Sequence, residues 1–218
     1  MKFSKGSYFI TGIDTDIGKS YAVAFLAKAV IASGLSVITQ KFIQTGCDPK
    51  DVAEDIITHR QLMGVELFPE DNDHTTCPVI FRLPSSPHLA ARQEGTTVDV
   101  ELITKSTEIL KAKYDVVLIE GAGGVMVPIE GDYLTIDYVT DNKLPTILVT
   151  SARLGSLNHS LLTLEQMRQK GVDLSGVVYN MYGADCETIA NDSADYIKRY
   201  LAQHFPEAWF DVMEINTI

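Results

Sequence analysis

The sequence predicts one α/β domain over residues 1–218, with a mostly parallel sheet covered by helices on both faces. Three observations carry that expectation. Short β-branched runs alternate with longer stretches of helical periodicity. Three of the runs are apolar on both faces, as strands buried from both sides must be. A glycine-bounded loop joins the first run to the first helical stretch, a connection typical of strand–helix units in parallel sheets.

Taken in order, the first run is Tyr8–Thr11. A helix is expected from about Lys19 to Ser33, with Ala22, Phe25, Leu26, Ala29 and Val30 on one face and Gly34 closing it as a C-cap. Leu35–Gln40 is the second strand, and Asp51–Met63 the next helix. Thr97–Lys113 follows as a helix whose apolar positions are Val98, Leu102, Ile109 and Leu110. The doubly apolar runs are Val116–Glu120, Thr146–Thr150 and Gly176–Asn180. Helices are expected at Asn158–Lys170 and Asp185–His204. In a sheet of this kind, ligands bind past the carboxyl ends of the strands.

Composition narrows the function. The formal net charge is −11, which disfavours a general role on nucleic acid or on an anionic membrane, since both call for a positive surface field. An acidic protein that binds phosphates must do so locally, with backbone N–H groups and a few placed lysines. The three cysteines show no disulfide or metal spacing and fit a cytoplasmic protein. The N-terminal stretch does not read as a signal peptide, and no apolar run is long enough to span a bilayer.

The residues after the first strand suit a polyphosphate. Gly12-Ile13-Asp14-Thr15-Asp16-Ile17-Gly18-Lys19-Ser20 forms strand, loop, Gly-Lys-Ser, helix. Loop N–H groups and the helix N-terminus would face the anion. Lys19 would add a point charge near the β and γ oxygens, and Ser20 a hydroxyl for Mg²⁺. The result is a P-loop NTPase-like fold with one departure. Five residues separate Gly12 from Gly18 where four are usual.

Other residues should share that rim. Glu120 ends the Val116–Glu120 run and is followed by Gly121-Ala122-Gly123-Gly124. A carboxylate there can hold Mg²⁺ directly or through water, and the glycines let backbone approach a substrate. Lys41, just past the second strand, could neutralise a transferring phosphoryl group. Asp51, Glu54 and Asp55 stand together, and the residues alone do not choose among them. Ser85-Ser86-Pro87-His88 and Leu154-Gly155-Ser156-Leu157-Asn158-His159 each read as a turn entering a helix, either as plain caps or as receivers of a carboxylate. The five histidines have no ligand spacing and read as structural or surface residues.

Five stretches in order, Thr11–Ser20, Lys41–Gly46, Pro84–His88, Glu120–Gly124 and Leu154–His159, resemble the dethiobiotin synthetases of biotin synthesis. The resemblance covers roughly Tyr8 to Asn180 and includes the long glycine spacing. It implies ATP- and Mg²⁺-dependent carboxylation and ring closure of 7,8-diaminopelargonic acid with CO₂, through a carbamate and a carbamic-phosphoric anhydride. By position, Gly12, Asp14, Thr15, Asp16, Ile17, Gly18, Lys19 and Ser20 would hold ATP, with Asn180 reading its base. Ser20, Asp55 and Glu120 would hold Mg²⁺; the family pattern is what singles out Asp55. Lys19, Lys41, Thr15 and Asp16 would serve the chemistry. Lys41, Thr45, Gly121, Ala122 and Gly123 would contact the substrate. Leu154, Gly155 and Asn158 would do so across a homodimer interface. Thr45 stands where the family often has serine. Phe42 replaces the usual proline, and Phe205–Phe210 does not match the family's base-contact segment. A guanine-reading Asn-Lys-x-Asp is absent at Asn180-Met181-Tyr182-Gly183.

Two other readings share the loop. One is another P-loop amide-forming or kinase activity, such as cobyrinate amidation, whose members usually carry an added glutaminase domain. The other is a nucleotide switch of the partitioning type. That group carries an extra lysine early in its loop, where this chain has Asp14, Thr15 and Asp16.

Overall fold

The computed structural model describes residues 1–184 and 186–214. In chain order its elements begin with β1 (Gly6–Gly12), α1 (Lys19–Ala32), β2 (Val37–Lys41), β3 (Gln44–Thr45), α2 (Glu54–Met63) and α3 (Pro69–Asn72). Next come β4 (Ile80–Phe81), α4 (Pro87–Gln93), α5 (Val100–Lys111), β5 (Val116–Gly124), β6 (Pro128–Glu130) and β7 (Tyr133–Leu134). The chain continues through α6 (Thr135–Asp141), β8 (Thr146–Ser151), α7 (Ser156–Lys170), β9 (Leu174–Asn180), α8 (Glu187–His204) and β10 (Trp209–Met213).

Six strands form one sheet in the order β10-β9-β8-β1-β5-β2, and every pairing is parallel. Successive side chains on a strand point to opposite faces, and the core divides accordingly. Tyr8, Ile10, Val116, Leu118, Ile147 and Val149 pack on one face with Ala22, Val23, Leu26 and Val30 of α1. Phe9, Val117, Ile119, Leu148 and Val177 pack on the other with Ile103 and Leu110 of α5, Leu164 of α7 and Ile197 of α8. The doubly apolar runs exist because both faces are covered; each large aliphatic side chain so buried contributes roughly 1.5–3 kcal/mol.

Several boundaries differ from expectation for local reasons. α1 ends one residue before the expected Ser33, and Gly34 lies just past its end with φ of 82°. α5 is shorter than expected because the Asp99 carboxylate accepts the Leu102 N–H at 2.8 Å and caps it there. Its buried face is Ile103, Ser106, Thr107 and Leu110, so Leu102 and Ile109, taken above as apolar-face positions, lie exposed at 41% and 50%. The acidic Asp51 precedes α2 rather than opening it. Asp185, expected to start the last helix, lies outside the described residues; α8 starts at Glu187. The unexpected β10 adds an edge strand. Trp209 crosses over Gly176 of β9, where an added Cβ would come within 2.2 Å of the indole.

Phe42 has a structural account. Its N–H donates to the Glu120 carbonyl at 2.8 Å, a bond proline cannot make, and its ring packs on Phe9 and Tyr138. Among the described residues no helix is long and apolar enough to cross a membrane.

On the α3 side, the buried Glu70 carboxylate accepts from Lys113 Nζ at 2.8 Å, and that hydrogen bond lowers its pKa from the ordinary value. A carboxyl depressed in the folded state stabilises above its unfolded pKa of about 4.3, and the contribution is lost as pH falls through the folded value. Urea unfolding should therefore show Glu70→Gln less stable than wild type at neutral pH, with the gap closing below about pH 4. A gap independent of pH would contradict this.

Candidate functional site

The carboxyl ends of β1, β2, β5 and β9 open onto one cleft of about 930 Å³. Its floor is the loop after β1. Gly18 precedes α1 with φ of 85°, in the left-handed region, so the chain turns sharply into the helix. Asn180 at the end of β9 donates its Nδ2 to the Ile17 carbonyl at 2.9 Å, and its Oδ1 accepts the Tyr182 N–H at 2.9 Å. A Cβ on residue 18 would lie 2.5 Å from that Asn180 nitrogen. Gly18→Ala should therefore destabilise the protein by about 2–3 kcal/mol, combining a left-handed alanine with a displaced amide bond. Thermal unfolding checks it, and an unchanged midpoint would refute it.

Lys19 is the first residue of α1. Its Nζ donates to the Asp14 carbonyl at 2.9 Å, so the long side chain bridges its own loop. Burial, and then the nearby Lys41 charge, lower its pKa. Ser20, one residue on, donates to Glu120 Oε1 at 3.2 Å.

Glu120 is 2% exposed, and each of its oxygens has a hydrogen-bond partner. Its Oε1 also accepts from Lys41 Nζ at 2.9 Å, while its Oε2 lies 2.6 Å from His59 Nε2. Lys41 donates further to the Gly121 carbonyl at 3.3 Å and pairs with Asp55 at short range. Burial alone would lower the Lys41 ammonium, but Glu120 and Asp55 outweigh it and hold it above its ordinary value. Burial would likewise raise the Glu120 carboxyl, but Lys41 and His59 hold it below its usual range. The register explains the meeting: Lys41 of β2 pairs directly with Glu120 of β5. Asp55 comes from the first turn of α2, its N–H donating to Gln44 Oε1 at 3.3 Å.

The sequence-derived residues therefore divide. Thr15, Asp16, Gly18, Lys19, Ser20, Lys41, Thr45, Asp55, Glu120, Ala122, Gly123 and Asn180 line the cleft. Gly12, Asp14 and Ile17 shape the loop behind it: Gly12 pairs with Gly124, and the buried Ile17 packs over Gly12. Gly121 contributes its carbonyl to Lys41. Leu154, Gly155 and Asn158 do not line the cleft and are exposed at the start of α7. Ser86 stands at the N-cap of α4 without a side-chain cap bond, and Ser85, Ser86 and Pro87 instead border the cleft.

Other cleft residues were not singled out from the sequence. Met213 and Glu214 reach it at the end of β10, and Tyr182 from the turn after β9. His59 lies beneath the cleft, completely buried against Glu120. One signal was available: His59 follows Asp55 by four residues, which places both on one face of α2.

A hydroxyl and two carboxylates gathered at one point could hold Mg²⁺, which commonly takes one or two carboxylates and completes its shell with phosphates and water. The donor set already draws a cation, since the Lys41 ammonium sits between Asp55 and Glu120. Among the described residues no three Asp, Glu, His or Cys side chains form a metal-holding cluster, so the arrangement fits a metal shared with a polyphosphate better than an all-protein cage.

A family model described as an AAA domain matches residues 6–205. The chain is 48% identical over 206 residues to the ATP-dependent dethiobiotin synthetase BioD 2 of Haemophilus ducreyi, covering 94% of this chain and 97% of the relative. It is 44% identical over 218 residues to the ATP-dependent dethiobiotin synthetase BioD of Chlorobaculum tepidum, covering 99% and 90%. In fold it is similar to the ParA family ATPase from Chlorobium tepidum, with a TM-score of 0.55 and 16% identity over 98% of this chain and 87% of that one. It is also similar to pNOB8 ParA bound to nonspecific DNA, with a TM-score of 0.56 and 14% identity over 94% and 78%. At such identities the likeness is of fold alone. With near-complete alignment to the synthetases, and a phosphate loop, two lysines and two carboxylates meeting in one cleft, the chain belongs to the ATP-dependent dethiobiotin synthetase family.

Proposed function

We propose that the protein catalyses ATP-dependent closure of a cyclic urea on 7,8-diaminopelargonic acid with CO₂, giving dethiobiotin, ADP and phosphate. The observation that carries the proposal is the meeting of Lys19, Lys41, Ser20, Asp55 and Glu120 at the strand tips. One amine of the diamine takes up CO₂ as a carbamate. A carbamate oxygen attacks the γ-phosphorus of ATP, and ADP leaves. The second amine then attacks the carbonyl carbon, phosphate leaves with the bonding pair, and the amine proton is lost as the ring closes.

The residues supply position and charge, which are most of what phosphoryl transfer needs. N–H groups of the loop from Gly12 to Gly18 receive the phosphates, and Lys19 meets the β and γ oxygens. Lys41 stands where negative charge moves from the γ-phosphoryl group toward the carbamate. Ser20, Asp55 and Glu120 are the residues that would hold Mg²⁺, which when bound neutralises and orients the terminal phosphates. Thr15, Asp16, Thr45, Ala122 and Gly123 border the reacting end of the diamine. Asn180 reads the base with the amide valences its two backbone bonds leave free, beside Met213 and Glu214. Leu154, Gly155 and Asn158, exposed at the start of α7 and outside their own cleft, would receive the carboxylate of substrate bound in the cleft of a second subunit. The reading is of a cytoplasmic homodimer.

Incubation with Mg-ATP, bicarbonate and the diamine should release ADP only when the diamine is present, with a product of the cyclic urea's mass. ATP turnover that ignores the diamine and yields no cyclic product would instead favour a nucleotide switch.

A further inference from the structure

We propose that His59 is a positioning residue that fixes how Glu120 presents its carboxylate to a divalent ion, leaving Oε1 alone to face the cleft. The inference rests on the preceding assignment of Glu120 as a metal ligand, and it concerns a residue that touches neither substrate nor ion.

The argument begins at the far end of a buried chain of hydrogen bonds. Arg60 is held in place by Asp71, to which its Nε and Nη2 each donate at 2.8 Å. Its Nη1 donates to Thr39 Oγ1 at 2.7 Å. A guanidinium can only donate, so the Thr39 oxygen is the acceptor there, and its hydroxyl proton is free to be given elsewhere. His59 Nδ1 lies 2.9 Å from that oxygen. The Glu120 carboxylate can only accept, so Nε2 carries a proton and donates to Oε2 at 2.6 Å, and the Thr39 hydroxyl can give its own proton to Nδ1. Arg60, Thr39 and His59 are all buried, so no water competes for these bonds.

The consequence lies in which oxygen remains. Oε1 receives Ser20 Oγ and Lys41 Nζ, the two groups on the cleft side. Oε2 is occupied from beneath by His59. A carboxylate tied in this way offers one oxygen and cannot easily rotate to grip an ion with both. One-oxygen ligation suits the tight octahedral shell of Mg²⁺, whereas Ca²⁺ readily takes a carboxylate through both oxygens. Partners behind a ligand commonly govern metal affinity to this degree.

The test measures metal binding without turnover. Mn²⁺ bound to the protein with a non-hydrolysable ATP analogue is followed by electron paramagnetic resonance, and Mg²⁺ or Ca²⁺ is titrated in to displace it. In His59→Leu, Mg²⁺ affinity should fall about 10–100-fold, Ca²⁺ affinity should fall far less, and the preference for Mg²⁺ should shrink. In His59→Gln, whose amide can donate in place of Nε2, the preference should return toward wild type. Thr39→Val keeps the imidazole but removes the hydroxyl that holds its Nδ1; it should shift the preference in the same direction as His59→Leu and carries the test if the leucine variant does not fold. Unchanged Mg²⁺ affinity in both variants, equal losses for Mg²⁺ and Ca²⁺, or no rescue by glutamine would each overturn the proposal. Glu120→Gln separates the two levels: wild-type Mg²⁺ affinity there would remove Glu120 from the metal site, whereas a loss there with none in His59→Leu would refute His59 alone.

Discussion

Replacing Lys19 with alanine should lower kcat/KM for ATP by about 10²–10³-fold while leaving the nucleotide-free protein as stable as wild type. The first half follows from position. Lys19 opens α1 directly after the left-handed Gly18, and its ammonium lies in the cleft floor, donating to the Asp14 carbonyl of the loop. Removing one such preorganised donor from a water-poor site costs roughly 2.7–4 kcal/mol of transition-state stabilisation. The second half follows from charge. Burial and the facing Lys41 both work against the Lys19 cation in the empty cleft, so its removal relieves a repulsion as it deletes one bond to Asp14 O. An arriving triphosphate reverses that balance, because it gives both lysines a shared anion. Wild type should therefore gain more in unfolding temperature on adding ATP than Lys19→Ala does. Steady-state kinetics and thermal unfolding with and without ATP read both quantities. Near-normal turnover in the variant would remove Lys19 from the mechanism.

The sheet was legible because its strands carry their burial in their composition. Val116–Glu120, Thr146–Thr150 and Gly176–Asn180 are apolar on both sides and short, and each is a strand in the structure. The phosphate loop was legible for a related reason: its glycines, lysine and serine are neighbours in sequence, so the local pattern contains the geometry. What was hidden depends on distant partners. β10 reads locally as a mixed run after Pro206, and only pairing with β9 makes it the sixth strand. α6, of seven residues, is too short for its periodicity to stand out, yet Ile136, Tyr138 and Val139 are buried by neighbours. Leu102 and Ile109 share a helical pattern with Leu110, but which apolar stripe turns inward is decided by the sheet that α5 meets. His59 shows the same limit within the site. Nothing near it in sequence names Glu120, which is brought to it through β5 and α2 from 61 residues away.

Lys41→Met should have the other large effect, and it differs from Lys19→Ala in kind because it strikes stability as well as turnover. The Lys41 ammonium is 5% exposed and lies between Glu120 and Asp55. Both carboxylates draw it, which is why its charge persists despite burial. Methionine fills much the same volume without charge and leaves the two acids facing one another. Ser20 and His59 still donate to Glu120, but no cation remains between the acids. Breaking a buried pair in this way costs about 3 kcal/mol, which in a domain of this size lowers the unfolding temperature by roughly 6–12 °C. The same loss of charge opposite the transferring group should lower turnover about 10²–10³-fold. The two effects should separate when Mg²⁺ and ADP are added, because a divalent cation can take over the neutralisation of Asp55 and Glu120 but cannot restore the lysine that the proposed mechanism sets beside the carbamate. Calorimetry should therefore show Mg-ADP raising the unfolding temperature of Lys41→Met by more than that of wild type, while turnover stays low at saturating Mg-ATP. An equal rise in both proteins would mean that the ammonium and the metal do not share those carboxylates. Turnover recovered by Mg²⁺ would mean that Lys41 acts on the fold and not on the reacting phosphoryl group.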